Sequence, residues 1–291
     1  MVKIEHLNKF YGEKQALNDL NLEIKQGSIF GLLGVNGAGK TTLLSILNGL
    51  LDFESGNITI DNMDMKHHLK DIKAISSIIP QNLAFYEKLT VKENLAFFAS
   101  MQNAKKENIE MAIEVNKLSS LINQKAYTLS GGQKRRLNIA IGLLNDPKII
   151  YFDEPTVGID PKSRNEILDS IKSYKNLGIT VVYTSHYMAE IERICDDVAI
   201  INDGKLVEHN SLENLLSNKK SDTVYIEVVY TDRLQELNLE LSDLNTICTT
   251  EKELFSILKV LEKNEIFVKQ IRYGSTNLEK LFLDITGEQS A

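Results

Sequence analysis

Gly34-Val35-Asn36-Gly37-Ala38-Gly39-Lys40-Thr41-Thr42 is the stretch that decides how the rest of the chain is read. It follows Ile29-Phe30-Gly31-Leu32-Leu33, an apolar run with the length of a buried strand. It leads into Thr42-Leu43-Leu44-Ser45-Ile46-Leu47, which reads as a helix closed by Gly49. Strand, glycine-rich loop and helix in that order are what a G-x-x-x-x-G-K-[ST] phosphate loop needs. Glycines at 34, 37 and 39 let backbone N–H groups turn inward where a Cβ would obstruct. The helix beginning near Lys40 offers unpaired N–H groups and the positive end of its dipole. Lys40 can reach the β/γ-phosphates, and the Thr41 hydroxyl can ligate Mg²⁺.

Further strands of the same sheet are legible downstream. Lys148-Ile149-Ile150-Tyr151-Phe152 is a continuous apolar run, as expected of a central strand in a parallel sheet, and it ends in Asp153-Glu154-Pro155. An acid at such a strand end can hold Mg²⁺ beside a phosphate loop, and an acid one residue later can orient water against a γ-phosphate. Residues 179–184 read as another buried strand closing on Ser185-His186. That puts His186 at the edge of the sheet where open α/β folds bind ligands. Helix starts lie between these strands. Thr90-Val91-Lys92-Glu93 is a capping box opening a helix with Leu95, Phe97, Phe98 and Met101 on or near one face. Ser130 is an N-cap with Gln133 three residues on, and Gly131-Gly132 exposes N–H groups suited to an anion. The basic run Lys134-Arg135-Arg136 behind it reads as a solvated or interfacial face. Asp160 and Pro161 form an N-cap and first helical position. Residues 2–7 and 16–24 alternate as half-buried strands around a turn at Phe10-Tyr11-Gly12, and Asp203-Gly204 is a type I′ hairpin signal.

The 291 residues are 43% hydrophobic and 25% charged, an ordinary globular balance with room for one large and one small domain. The net charge of −7 gives no electrostatic footprint for nucleic acid, and no such partner is expected. The first residues are too polar for a signal peptide, and no apolar run approaches the roughly 18–20 residues that span a bilayer. Work at a membrane therefore requires another chain. Cys195 and Cys248 have no zinc or redox spacing and fit a reducing cytosol. His67-His68 lacks accompanying metal ligands. The polar run Asn218-Lys219-Lys220-Ser221-Asp222 reads as a linker. Beyond it, strands (223–230, 244–249, 266–273) alternate with helices (232–237, 251–262, and one capped by Thr276 and Glu279). This predicts a main domain over 1–217 and a small α/β domain over 222–291.

Together these motifs resemble the ATP-binding subunit of an ABC transporter over residues 1–217. Gly34 to Thr41 resembles the Walker A loop. Leu129-Ser130-Gly131-Gly132-Gln133 is identical to the L-S-G-G-Q signature that separates ABC ATPases from other phosphate-loop enzymes. Residues 149–153 resemble Walker B, Gln81 stands at the Q-loop, Gly158-Ile159-Asp160 at the D-loop (Ile159 where Leu is commoner) and His186 at the switch histidine. Tyr11 matches the adenine-stacking aromatic, with Phe10 as the alternative. The resemblance implies an α/β phosphate-loop ATPase with a helical subdomain inserted over about 82–145, using ATP and Mg²⁺. It implies catalytic roles for Glu154, His186 and Gln81, and Mg²⁺ held by Thr41, Gln81 and Asp153. Nucleotide contacts would come from Tyr11, Gly34, Asn36, Gly37, Ala38, Gly39, Lys40, Thr41 and Thr42. Ser130, Gly131, Gly132, Gln133 and Asp160 are further implied nucleotide-binding residues, and in a head-to-tail dimer Ser130 and Gly132 would contact the γ-phosphate of ATP held by a second ATP-binding subunit. The face near Gln81 and Phe85-Tyr86 would grip a polytopic membrane permease at the cytoplasmic face of the cell membrane.

The tail Ser275-Thr276-Asn277-Leu278-Glu279-Lys280-Leu281-Phe282-Leu283-Asp284-Ile285-Thr286-Gly287 resembles that of bacterial exporter subunits for drugs, antibiotics, peptides or sodium, P-S-L-E-[DE]-[VL]-F-L-x-L-T-G, without its Pro. This favours export over import. The rival reading is a soluble ABC ATPase acting on ribosomes or DNA. Ribosome-acting members usually carry two cassettes, and DNA-repair members a long coiled coil or zinc module. Neither pattern is in this chain. A GTPase is disfavoured because no N-K-x-D guanine motif occurs.

Overall fold

The computed structural model describes residues 1–217, 223–229, 234, 237, 239, 241–243, 245–273, 278 and 281–282. The chain divides into two compact units, Met1–Leu212 and Glu213–Ala291. The first unit opens with β1 (Val2–Tyr11), β2 (Lys14–Ile24), β3 (Ile29–Leu33), α1 (Lys40–Leu47), β4 (Ser55–Ile60), β5 (Met63–Asp64), α2 (Met65–Ala74) and β6 (Ser76–Ile79). Three helices follow, α3 (Val91–Gln102), α4 (Lys106–Val115) and α5 (Gly131–Gly142). The unit closes with β7 (Ile149–Asp153), α6 (Pro161–Ser173), β8 (Thr180–Thr184), α7 (Met188–Ile194), β9 (Asp197–Asn202) and β10 (Lys205–Ser211).

A six-stranded sheet runs in the order β10-β9-β3-β8-β7-β6, and an antiparallel sheet in the order β2-β1-β4-β5. The larger sheet is parallel apart from the β9–β10 hairpin. Both β3 and β8 are buried along their whole length, which is why neither sequence alternates apolar with polar residues. The core lies where the two sheets and α1 meet. Leu7, Leu20 and Ile24 pack there with Leu44 and Leu47, and with Phe30, Leu32 and Tyr151. Each of the leucine, isoleucine and phenylalanine side chains, fully buried, contributes about 1.5–3 kcal/mol.

The capping signals form as the sequence predicts. Thr90 Oγ1 accepts from the Glu93 N–H while Glu93 Oε2 accepts from the Thr90 N–H. The Ser130–Gln133 pair is built the same way. Two expectations require correction. The buried stripe of α3 is Val91, Asn94, Leu95 and Ala99, whereas Phe97 and Met101 are exposed. Arg135 is not on a solvated face: it is buried, and only its neighbours Lys134 and Arg136 reach the partly exposed ion pairs with Glu87 and Glu166. The helices α2 and α7 were not anticipated, and β1 continues through Tyr11 where a turn was expected.

In the second unit α8 (Leu212–Ser217) spans the division, and β11 (Thr223–Val228), β12 (Leu241–Asp243), β13 (Thr246–Thr250), α9 (Leu254–Lys263) and β14 (Val268–Tyr273) follow. Its sheet order is β12-β13-β11-β14, and Leu254 and Leu261 of α9 pack with Val224, Ile226, Val228 and Ile247. Most of the expected helix over 232–237, the Thr276 cap and nearly all of the tail over 275–287 lie outside the described residues.

Candidate active site

Three neighbouring parallel strands end together. Leu32 of β3 is in register with Thr184 of β8, and Thr184 with Asp153 of β7. The phosphate loop, the Asp153-Glu154 pair and Ser185-His186 therefore leave the sheet side by side at its C-terminal edge. This is where ligands of open α/β sheets bind.

The loop is held from outside. Gly39 has φ +108°, and a Cβ there would sit 2.7 Å from the Ala16 carbonyl oxygen. A Cβ on Gly34 would sit 2.4 Å from the Ile201 carbonyl oxygen. The Gly204 N–H donates to the Ala38 carbonyl (3.1 Å) and the Asn18 N–H to the Gly204 carbonyl (2.9 Å), so the β9–β10 turn braces the loop. Lys40 is buried, and its Nζ donates to the carbonyls of Gly34 (2.6 Å) and Val35 (3.1 Å). An ammonium has three protons, so one is left for a ligand oxygen. Burial pushes the Lys40 pKa down, while the charges of Glu154 and Asp153 pull it partly back. Unlike α5 and α6, α1 has no side-chain cap, which leaves its first amides to an anion.

A cleft of about 250 Å³ lies over this loop, lined by Tyr11, Lys14, Ala16, Asn36, Gly37, Gly39, Lys40, Thr41, Thr42 and Glu154. Its lining includes an exposed aromatic, Tyr11, and a carboxylate, Glu154, as well as the loop. Tyr11 ends β1, with Lys9 Nζ 5.6 Å from its ring centre. Thr41 Oγ1 donates to Asp153 Oδ1 (3.3 Å), so a hydroxyl and a carboxylate oxygen converge beside the loop. Hard oxygen donors of this kind fit Mg²⁺. Thr184 also meets Asp153 Oδ1 (3.2 Å) and accepts the Glu154 N–H (3.0 Å). Glu154 has φ +45°, a left-handed backbone uncommon outside glycine. Its Oε2 lies 3.2 Å from His186 Nδ1.

The other predicted site residues lie elsewhere. Ser130, Gly131, Gly132, Gln133 and Asp160 do not line this cleft, and neither does Gln81. Gly132 abuts α6, where a Cβ would meet Ser163 Cβ at 2.3 Å. Asp160 caps α6 through the Ser163 N–H (3.0 Å). The backbone of Gln81 is clamped by α5: Arg135 Nη1 donates to the Pro80 carbonyl (2.8 Å) and Nη2 to that of Gln81 (2.5 Å). Asn138 Oδ1, one turn on, accepts the Ala84 N–H (2.8 Å). Near this loop Tyr86 is exposed and its ring meets Phe97 at 5.0 Å. Sequence reasoning missed Lys14, Thr184, Arg135 and Gly204. For Thr184 a signal existed, a hydroxyl at the strand end directly before Ser185-His186.

A family model described as ABC transporter matches residues 17–157. The linearmycin resistance ATP-binding protein LnrL of Bacillus subtilis (strain 168) is 36% identical, over 99% of this chain and 98% of its own. The chain belongs to the ABC transporter family of ATP-binding proteins. The methionine import ATP-binding protein MetN of Clostridioides difficile (strain 630) is also 36% identical, over 76% of this chain and 72% of its own. Among solved structures, a dimeric post-hydrolysis state of the ATP-binding cassette MJ0796 bound to ADP and Pi is 28% identical with a TM-score of 0.65, covering 73% of this chain and 99% of that one. This ABC protein is accordingly an ATPase with the fold of an ATP-binding cassette. No helix among its described residues is long and apolar enough to cross a membrane.

Proposed function

We propose that this ABC protein powers a bacterial exporter of drug, antibiotic or peptide cargo, working as a head-to-tail pair on the cytoplasmic face of the membrane with a separate polytopic permease. The observation that carries the export reading is the length of the two matches. The resistance protein matches this chain from end to end, small second unit included, while the import protein matches 76% of it. The separation of the signature helix from the nucleotide cleft supports pairing, because Ser130 and Gly132 then have a partner's nucleotide to meet. The cassette seen as a dimer supports it too.

In this reading Tyr11 stacks on adenine, and the loop amides with Lys40 grip the phosphates. Thr41 and Asp153 would hold Mg²⁺, which when bound neutralises charge on the β- and γ-phosphate oxygens, and Gln81, outside the cleft in this structure, would join them only if its loop moves in. Glu154 takes a proton from, or orients, the attacking water, and His186 holds the Glu154 carboxylate in place. The main domain runs over about 1–217, with its helical subdomain over 82–145, and the small domain over 222–291. The test is a tagged pull-down from solubilised membranes, combined with antimicrobial susceptibility of cells carrying Glu154→Gln. A co-purified polytopic protein and increased susceptibility support export. Loss of nutrient uptake instead would mean import, and ribosomal partners would mean the soluble class.

A further inference from the structure

Glu190 lies in α7, one turn beyond His186. It is buried and does not line the nucleotide cleft. Three hydroxyls point at its carboxylate. Thr156 Oγ1 lies 2.8 Å from Oε1 and 2.9 Å from Oε2, Tyr183 OH 2.9 Å from Oε2, and Ser185 Oγ 2.7 Å from Oε2. Arg164 Nε stands 3.4 Å from Oε1 as an ion pair, and Nη2 donates to the Ile159 carbonyl (3.4 Å). The Arg164 guanidinium also sits over the Tyr187 ring at 4.7 Å.

With Thr156, Tyr183 and Ser185 all within hydrogen-bond reach, both oxygens of the buried carboxylate are engaged. Burial, and then the Glu190 charge, hold the Tyr183 phenol well above its ordinary pKa, so it stays a donor. Thr156 and Ser185 lie within two residues of Glu154 and His186. Thr156 follows Glu154 by two positions and leads into the D-loop. Ser185 immediately precedes His186, and its Oγ also accepts the Tyr187 N–H (3.0 Å). Arg164 belongs to the helix that Asp160 caps. One side chain thus fastens the exits of β7 and β8 and the start of α6 to α7.

We propose that Glu190 is a positioning residue for hydrolysis. By pinning Ser185 and Thr156 it keeps His186 Nδ1 within 3.2 Å of Glu154 Oε2. It touches neither nucleotide nor reacting atoms. The proposal rests on assigning Glu154 and His186 to the reaction.

The test is a double-mutant cycle on the full chain, reading kcat and KM for MgATP. Glu190→Gln keeps the shape and removes the charge. It is expected to lower kcat by about tenfold or more, with KM within about twofold, because small misplacements near the chemistry are costly in rate. Added to His186→Ala, it is expected to slow turnover by no more than about twofold further, since the residue it positions is already gone. Turnover of the single variant near wild type overturns the proposal. So does a double variant slowed by the product of the two single effects. If Glu190→Gln does not fold, Ser185→Ala, which removes one donor and keeps the carboxylate, goes through the same cycle under the same criteria. A His186→Ala protein with full turnover refutes the role of His186 itself. If Glu190→Gln is nevertheless slow, the route through His186 is refuted as well.

Discussion

Replacing Thr184 by Val tests whether one buried hydroxyl fixes the proposed water-orienting carboxylate. Thr184 is fully buried at the end of β8, so valine fits with little steric change. The Thr184 hydroxyl accepts the Glu154 N–H at 3.0 Å and spends its own proton on the Phe152 carbonyl (3.1 Å) or Asp153 Oδ1 (3.2 Å). Valine leaves that amide without its acceptor, which costs about 1–3 kcal/mol. The left-handed backbone of Glu154 stores about 1–2 kcal/mol, some of which is regained if the residue relaxes. The net expectation is a loss of about 1–2 kcal/mol. For a unit of this size that lowers Tm by roughly 2–8 °C. A relaxed Glu154 also carries its carboxylate away from His186, so kcat should fall by about tenfold or more while KM for MgATP holds. Calorimetry and phosphate release on the full chain read both quantities. Full turnover at a lowered Tm would refute the claim that this bond aims Glu154. Slowed turnover at an unchanged Tm would refute the energetic reasoning.

Glu154→Gln should bind MgATP with near-normal affinity and lose about two to four orders of magnitude in turnover, because the phosphate contacts survive and the carboxylate does not; nucleotide-binding titration and phosphate release separate the two. Gly132→Ala pushes a Cβ into Ser163, and should cost about 1–3 kcal/mol and slow turnover. Adding Ser163→Gly should restore part of both, as followed by thermal unfolding. Arg135→Met keeps an apolar stem but removes two charged hydrogen bonds to the 80–81 backbone. Hydrogen exchange should rise across residues 81–84 with the rest of the unit protected, and uniform protection would contradict the clamp.

Backbone-level features were legible because they are local. Both capping boxes, the Asp160-Pro161 start and the Asp203-Gly204 turn each depend on residues within four positions of one another, and the phosphate loop on the eight from Gly34 to Thr41. The unread parts depend on contacts across the fold. Helix α2 buries only Met65 and Ile72 and bends at His68, so its apolar stripe is too sparse to stand out in a polar stretch. Bulges in β1 after Ile4 and Leu7 break the alternation that would have extended that strand to Tyr11. The burial of Arg135 and Glu190 follows from carbonyls and hydroxyls brought from other elements. A charged residue on a helix looks the same in sequence whether it meets water or a ring of partners. Glu154, the proposed catalytic carboxylate, was by contrast marked by its place at the end of an apolar strand.

A two-residue hairpin turn at the surface is ordinarily where a protein accepts a tag or a spliced-in loop. The Asp203-Gly204 turn is a poor choice here. The peptide of Gly204 is bonded on one side to Ala38 and on the other to Asn18, and a Cβ at this position would sit 2.6 Å from the Ala16 carbonyl oxygen. An epitope or fluorescent reporter inserted there would pull directly on the phosphate loop and report on an impaired enzyme. The exposed start of α4 at Lys106, which has no side-chain cap and whose ion pair with Glu110 faces solvent, is the better graft point for anyone wishing to label this ATPase without disarming it.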